Sequence, residues 1–301
     1  MNYLLPKKIT SVNVPPLKIQ GIKTKLVPFI AESILWQGDG IWYEPFMGSG
    51  VVGFNIQPKR AVFSDSNPHV IRLYKDIQSG VVTPLKTRLF LEAEAPKLAA
   101  SPADKGSYYY EVRKRFNEGP NSLDFIFLQR SNFNGMIRFG PNGYNVPFGR
   151  KPERFRPALI TKIVNQVAWV EELLKGKEWE FVNSEWKEVV EQAGEKDFIY
   201  LDPPYIGRST DYYNSWEDKD ANDLATTIQM LPCGYALSMW YKNKYRVNDH
   251  LAVWNGVMFT NEHFYFLGGK EINRNAIIEA LIVKKGFIPA TKQILNVKAD
   301  T

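Results

Sequence analysis

Hydrophobic and polar positions along the 301 residues fall into three textures. Between residues 35 and 75 short apolar runs alternate with turns: GIWYEPF at 40–46, RAVFSD at 60–65, then HVIRLYKDI at 69–77 with apolar residues at helical spacing. That succession predicts a βαβ unit. From about Gly80 to Pro157 the texture turns polar, helical and basic, with YYYEVRKRFNEG, DFIFLQRSNFNG and the glycine- and proline-rich FGPNGYNVPFGRKPERFRP. Strand texture returns with WEFVN, FIYLDPPY, YALSMW and AIIEALIVKK. The pattern predicts one α/β domain, residues 1–75 and 158–301, interrupted by an inserted domain at 76–157.

Two turns at predicted strand ends carry candidate chemistry. FIYL reads as a buried strand, yet Asp202-Pro203-Pro204-Tyr205 follows at once, and proline cannot donate to a sheet ladder. A rigid turn alone would account for the prolines. The same tetrapeptide also offers a carboxylate, a carbonyl that no neighbouring strand can claim and an aromatic face, at the strand end where open α/β sheets bind ligands. The second turn, Gly48-Ser49-Gly50, follows GIWY and lets a ligand approach the backbone closely. Asp65 ends the next strand fifteen residues after Gly50, the place from which doubly wound folds hold ribose hydroxyls. No G-x-x-x-x-G-K-[ST] occurs and no third glycine stands at dinucleotide spacing, so a ribose-bearing ligand without pyrophosphate fits better.

Composition adds limits rather than a function. A formal charge of +6 only weakly favours a polyanionic partner. The single cysteine, Cys233, excludes an internal disulfide and a multi-cysteine zinc site, and no metal is expected. No run of eighteen apolar residues occurs and MNYLLPKKIT lacks a signal-peptide core, so the expectation is a cytoplasmic protein, with no membrane partner. The Pro232-Cys233 pair matches the nucleophile of cytosine-C5 methyltransferases, but its partner motifs are absent, and a buried structural cysteine is the expectation. His69, His250 and His263 show no ligand spacing.

Five stretches follow one another between residues 44 and 205: E-P-F-M-G-S-G at 44–50, F-S-D-S-N at 63–67, F-N-G at 133–135, Y-N-V-P-F-G-R at 144–150 and D-P-P-Y at 202–205. Together they resemble the Dam-like DNA adenine-N6 methyltransferases of the α order. The resemblance implies a Rossmann-like fold dependent on S-adenosyl-L-methionine, with a mostly helical DNA-recognition insert carrying a β-hairpin. It implies a catalytic set of Asp202, Pro203, Pro204 and Tyr205, and a cofactor set of Gln20, Gly21, Lys23, Glu44, Pro45, Phe46, Gly48, Ser49, Gly50, Asp65, Ser66 and Asp202. Implied DNA contacts are Arg130, Asn132, Phe133, Asn134, Arg138, Tyr144, Asn145 and Arg150. Arg138 falls where the family reads a base edge, and Phe133 with Asn134 where it fills the gap left in the duplex. Double-stranded DNA is the implied partner, with a cognate restriction endonuclease, a monomeric state and a nucleoid location in a bacterial or phage-infected cell as further expectations.

Where the family carries K-W-x-G-G-K, this chain has K-I-Q-G-I-K at 18–23, which also reads as a solvated basic face of Lys18, Lys23 and Lys25. In the insert, Pro141-Asn142-Gly143 predicts a projecting hairpin over 136–148 with arginines and aromatics interleaved. Cytosine-N4 transfer shares the direct-attack chemistry, but that class more often has Ser-Pro-Pro-Tyr. A catalytically inactive DNA-binding subunit is the other alternative.

Overall fold

A computed structural model of the protein describes residues 3–101, 105–205, 216–242, 247–264 and 276–292. The first elements are α1 (Val27–Ser33), β1 (Trp42–Glu44), α2 (Val51–Ile56), β2 (Arg60–Asp65) and α3 (Pro68–Gln78). An almost purely helical stretch follows: α4 (Pro84–Ala100), α5 (Ser107–Glu118), α6 (Ser122–Ser131), the two-residue strands β3 (Phe139–Gly140) and β4 (Gly143–Tyr144), and α7 (Pro157–Leu174). The remainder is β5 (Glu178–Asn183), α8 (Trp186–Val190), β6 (Phe198–Leu201), α9 (Asp218–Met230), β7 (Gly234–Lys242), β8 (Val257–Phe264) and β9 (Ala276–Val283).

Seven of the strands form one sheet in the order β5-β2-β1-β6-β7-β9-β8. The first five are parallel, and β9 runs antiparallel between β7 and β8. This is the Rossmann-like architecture expected. All four residues of β6 are buried, as a strand flanked on both sides and covered on both faces requires. Its pairing stops at Leu201, opposite Leu237, and the prolines follow immediately. The edge strand β8 was not legible, because VMFTNEHF carries too little apolar alternation and Met258 stays exposed.

The chain enters the sheet at β1, moves outward to β2, and later returns on the other side of β1 as β6. Strand order therefore reverses between β1 and β6, the point at which open α/β sheets form a ligand crevice beyond the carboxyl ends of the strands. The glycine turn leaves β1 and the DPPY turn leaves β6, so the topology alone sets the two side by side. Rigid aromatic packing holds them there: Trp42 stacks on Phe198 at 5.4 Å and on Tyr200 at 6.0 Å, tying β1 to β6. Behind α2, Phe54 packs against Phe63, Tyr74 and Trp179.

The hairpin differs from expectation. Only Phe139↔Tyr144 and Gly140↔Gly143 pair, and the ribbon is pinned to the helices instead of projecting. Asn117 of α5 accepts from the Tyr144 backbone N–H at 2.8 Å and donates to its carbonyl at 3.0 Å. The Tyr109 hydroxyl donates to the Val146 carbonyl at 2.8 Å, and Phe139 stacks on His69 at 4.9 Å. Along 144–148 the alternation Tyr, Val, Phe inward and Asn, Pro outward accounts for this, since three buried apolar side chains hold the segment down.

Candidate active site

At the end of β6 Asp202 is half-buried, and its Oδ1 accepts from Lys23 Nζ at 2.8 Å. Lys23 is 4% exposed, so the reading of a solvated basic face fails at this position. Its ammonium also donates to the Gly21 carbonyl at 3.3 Å and lies 4.8 Å from the centre of the Tyr205 ring. Tyr205 in turn donates its hydroxyl hydrogen to Glu279 Oε2 at 2.9 Å. Burial raises the Asp202 carboxyl above the ordinary range; the Lys23 charge opposes this and Glu279 reinforces it. Pro203 is buried, and among the described residues no backbone donor takes its carbonyl.

Across the crevice, Gly50 caps α2 in the left-handed region, φ 71°, where a Cβ would meet the Phe54 ring at 2.8 Å. The Ser49 carbonyl accepts from the Tyr74 hydroxyl at 2.6 Å. Asp65 accepts the Gly48 N–H at 3.0 Å on one oxygen and the Asn67 N–H at 2.9 Å on the other, so it organises the turn and the start of α3 together. Burial pushes its carboxyl up to about 6 despite those donors. Beneath the turn Glu44, 2% exposed, accepts from Trp42 Nε1 at 3.1 Å and from the Gly53 N–H at 3.0 Å. Burial pushes it up to about 8, with repulsion from Asp202 adding to the rise. Pro45 is buried, Phe46 meets Trp216 edge-on at 5.4 Å, Ser66 gives its carbonyl to Asn183, and Gln20 is exposed.

Residues expected on DNA divide into two groups. Phe133 is 49% exposed beside exposed Asn134 at φ 56°, and Arg150 is exposed. Arg138 donates to Asn145 through Nε at 2.7 Å. Asn132 and Tyr144, by contrast, are buried, at 2% and 1% exposure. Asn132 donates to the Met136 carbonyl and to the Tyr144 hydroxyl, both at 2.7 Å, and accepts from the Gly135 N–H. These two residues shape the loop from inside and offer no surface to a duplex. Arg130 is also largely inside, donating to Gln166. Cys233 is buried with its thiol pushed up to about 11, which suits a structural residue. Among the described residues no helix is long and apolar enough to cross a membrane.

The sequence profile of the D12 class N6 adenine-specific DNA methyltransferases matches residues 20–259. The chain belongs to this family. Relatives include a type II methyltransferase of Methanocaldococcus jannaschii, 30% identical over 69% of this chain and 75% of the relative. A type II methyltransferase of Lactococcus lactis subsp. cremoris is 26% identical over 68% of this chain and 70% of its own. The DNA adenine methylase of Haemophilus influenzae is 28% identical over 62% and 65%. Membership decides for adenine N6 over cytosine N4 and for an enzyme over an inactive binding subunit. Two residues of this adenine methyltransferase make contacts here that the sequence did not reveal. Lys23, expected at the cofactor, pairs with Asp202, while Glu279 passed as part of a strand. The available signal for Glu279 was a lone acid within the apolar run AIIEALIV.

Glu44 generates a stability test. Its folded-state carboxyl, at about 8, lies above the ordinary 4.5, so the native state keeps a proton that the unfolded chain has released. The stability it contributes is complete below about 4.5 and is lost as pH rises toward 8, at no more than about 1.4 kcal/mol per pH unit. Glu44→Gln keeps an acceptor for Trp42 and Gly53 and removes the titration. Its denaturation midpoint relative to the wild type is expected to climb between pH 5 and pH 8.5; a constant difference would place an ionised Glu44 in the native protein.

Proposed function

We propose that the enzyme moves a methyl group from S-adenosylmethionine to N6 of an adenine turned out of double-stranded DNA, with Asp202 and Pro203 as the paired acceptors of the amino group. One observation carries this reading: Asp202, its Oδ1 clamped by Lys23, stands across the sheet's switch point from the Gly48–Gly50 turn.

The residues fit the donor. A Cβ built on Gly48 would meet only Ile19 Cδ1, at 3.9 Å, so the turn faces open space where a ligand can lie against the backbone. Each Asp65 oxygen has one lone pair left beyond its backbone donor, enough to receive ribose hydroxyls at the tip of β2. Gly48, Ser49, Gly50, Asp65 and Phe46 would hold the group, and when bound it supplies an electrophilic methyl on a positively charged sulfur.

Adenine N6 is a poor nucleophile because its lone pair is delocalised into the ring. Asp202 Oδ2 accepts one amino hydrogen and the Pro203 carbonyl the other, which draws the nitrogen toward tetrahedral geometry and aims its lone pair. Orientation and fixed charge carry the rate, and no covalent intermediate forms. The proton that N6 sheds is taken at Asp202 Oδ2, whose raised affinity suits it as a base. Pro203 and Pro204 fix this geometry, and Tyr205 offers a face for the extrahelical base, which is unreachable inside the duplex.

The insert, residues 76–157, serves as the DNA-recognition domain. Phe133 and Asn134 enter the gap left in the duplex. Arg138, held by Asn145, reads a base edge, since a guanidinium pairs bidentately with guanine. Lys18, Arg130, Lys151 and Arg154 lie near enough for the three latter charges to join burial in lowering the Lys18 ammonium, and this basic group supports phosphate binding behind the loop. Relatives named as type II methyltransferases support a partner restriction endonuclease.

Asp202→Ala is expected to abolish transfer while the chain stays soluble and unfolds cooperatively, at lower stability because buried Lys23 loses its partner. Asp202→Asn, which keeps one acceptor oxygen, should lose roughly a hundredfold or more in kcat. Near-normal turnover of the folded alanine variant would remove Asp202 from the chemistry. In calorimetry, Asp65→Ala should weaken S-adenosylmethionine binding by about 1.5–3 kcal/mol, the range for a hydrogen bond to a charged group, with a smaller effect on DNA. Equal weakening of both ligands would count against a ribose contact.

A further inference from the structure

Glu279 is the one ionisable residue of β9 and is 1% exposed, inside a strand otherwise made of Ala, Ile, Leu and Val. Burying a carboxylate costs several kcal/mol unless it is bonded, and an apolar side chain of similar volume would serve the sheet as well or better. β9 pairs on both sides, Glu279 standing opposite Trp240 of β7 and Asn261 of β8, so neither the ladder nor the core asks for an acid at this position. Its side chain accepts the hydroxyl hydrogen of the tyrosine of the DPPY turn, at 2.9 Å.

Tyr205 is thereby held at two places. Its hydroxyl is fixed by Glu279, and one face of its ring lies under Lys23 Nζ at 4.8 Å, the same ammonium that grips Asp202 at 2.8 Å. Tethered at its far end, the ring presents one plane and keeps its orientation relative to the carboxylate. A base would stack on the face turned from Lys23. A base stacked on a ring free to turn would carry its amino group away from Asp202 and Pro203, and displacements of about 1 Å already cost heavily in rate.

We infer that Glu279 is a positioning residue for methyl transfer: by accepting the hydroxyl hydrogen of Tyr205 it fixes the plane on which the target adenine stacks. This rests on the proposal that Tyr205 receives the extrahelical base. A merely structural role for the bond would affect stability and leave the geometry of the bound base alone, and the two are separable.

The test uses the full chain and a duplex carrying 2-aminopurine at the target position, once methylated adenines have been mapped on plasmid DNA. Tyr205→Phe and Glu279→Leu are each expected to lower kcat roughly tenfold, the size of one net hydrogen bond, with KM for DNA little changed. Both should brighten the bound 2-aminopurine, because a base on a mobile ring is quenched less. The double variant should be no slower than the slower single one, since both remove the same bond. Glu279→Gln, which retains an acceptor oxygen, should recover most of the turnover. Losses that multiply, or a fall in kcat without a change in fluorescence, would overturn the inference. Should Glu279→Leu fail to fold, Tyr205→Phe still decides: wild-type turnover and fluorescence there would mean that the tether does nothing. Tyr205→Ala separates the two levels. If it stays active, the stacking role itself is wrong; if it is inactive while Tyr205→Phe and Glu279→Leu both match the wild type, only the role of Glu279 falls.

Discussion

The ion pair between Lys23 and Asp202 is the contact on which the rest of the site depends. A carboxylate at the end of a buried parallel strand tends to take up a proton, and a protonated Asp202 would offer its substrate one acceptor oxygen fewer. The ammonium, itself almost fully buried, opposes that tendency at a distance of 2.8 Å. It engages Oδ1, so it favours the ionised acid and orients it at once. Losing either partner would strand the other charge in a poorly solvated place, which ties the N-terminal segment to the end of the central strand β6.

Around this pair the crevice is unusually rich in carboxyls. Glu44, Asp202 and Glu279 belong to β1, the turn after β6 and β9; Asp202 raises the Glu44 carboxyl, and Glu279 raises that of Asp202. The environments of Glu44 and Asp202 differ. Glu44 keeps its proton near neutral pH and ties β1 to α2 through Trp42 and Gly53, whereas Asp202 has a cation. Different protonation of similar groups is how one small site can provide both an internal tie and an acceptor. The sheet topology brings them together, since β1 and β6 are distant in sequence and adjacent in space.

Much of the strand framework was readable from the chain because strands inside the sheet leave continuous apolar runs such as FIYL and AIIEALIV. The two turns were readable for a related reason: proline and glycine interrupt those runs where the backbone must do something unusual. The pairing of Lys23 with Asp202 and of Tyr205 with Glu279 was not readable, because each joins segments far apart in sequence and no local pattern encodes a long-range hydrogen bond. Asn132 and Tyr144 show the opposite error. A polar residue in a basic, glycine-rich loop looks like surface, yet short loops need internal donors and acceptors, and these two supply them. The hairpin lies flat for the same reason that its neighbours alternate: Tyr144, Val146 and Phe148 are core.

The most direct measurement is the pH dependence of the single-turnover methylation rate for the wild type and for Lys23→Met. If Lys23 holds Asp202 ionised against burial, removing the ammonium raises the carboxyl further, and the acidic limb of the profile shifts to higher pH. An acidic limb that stays where it is in the wild type, in a folded variant that still binds DNA, would show that this ion pair does not control the acceptor and would contradict the account at its centre.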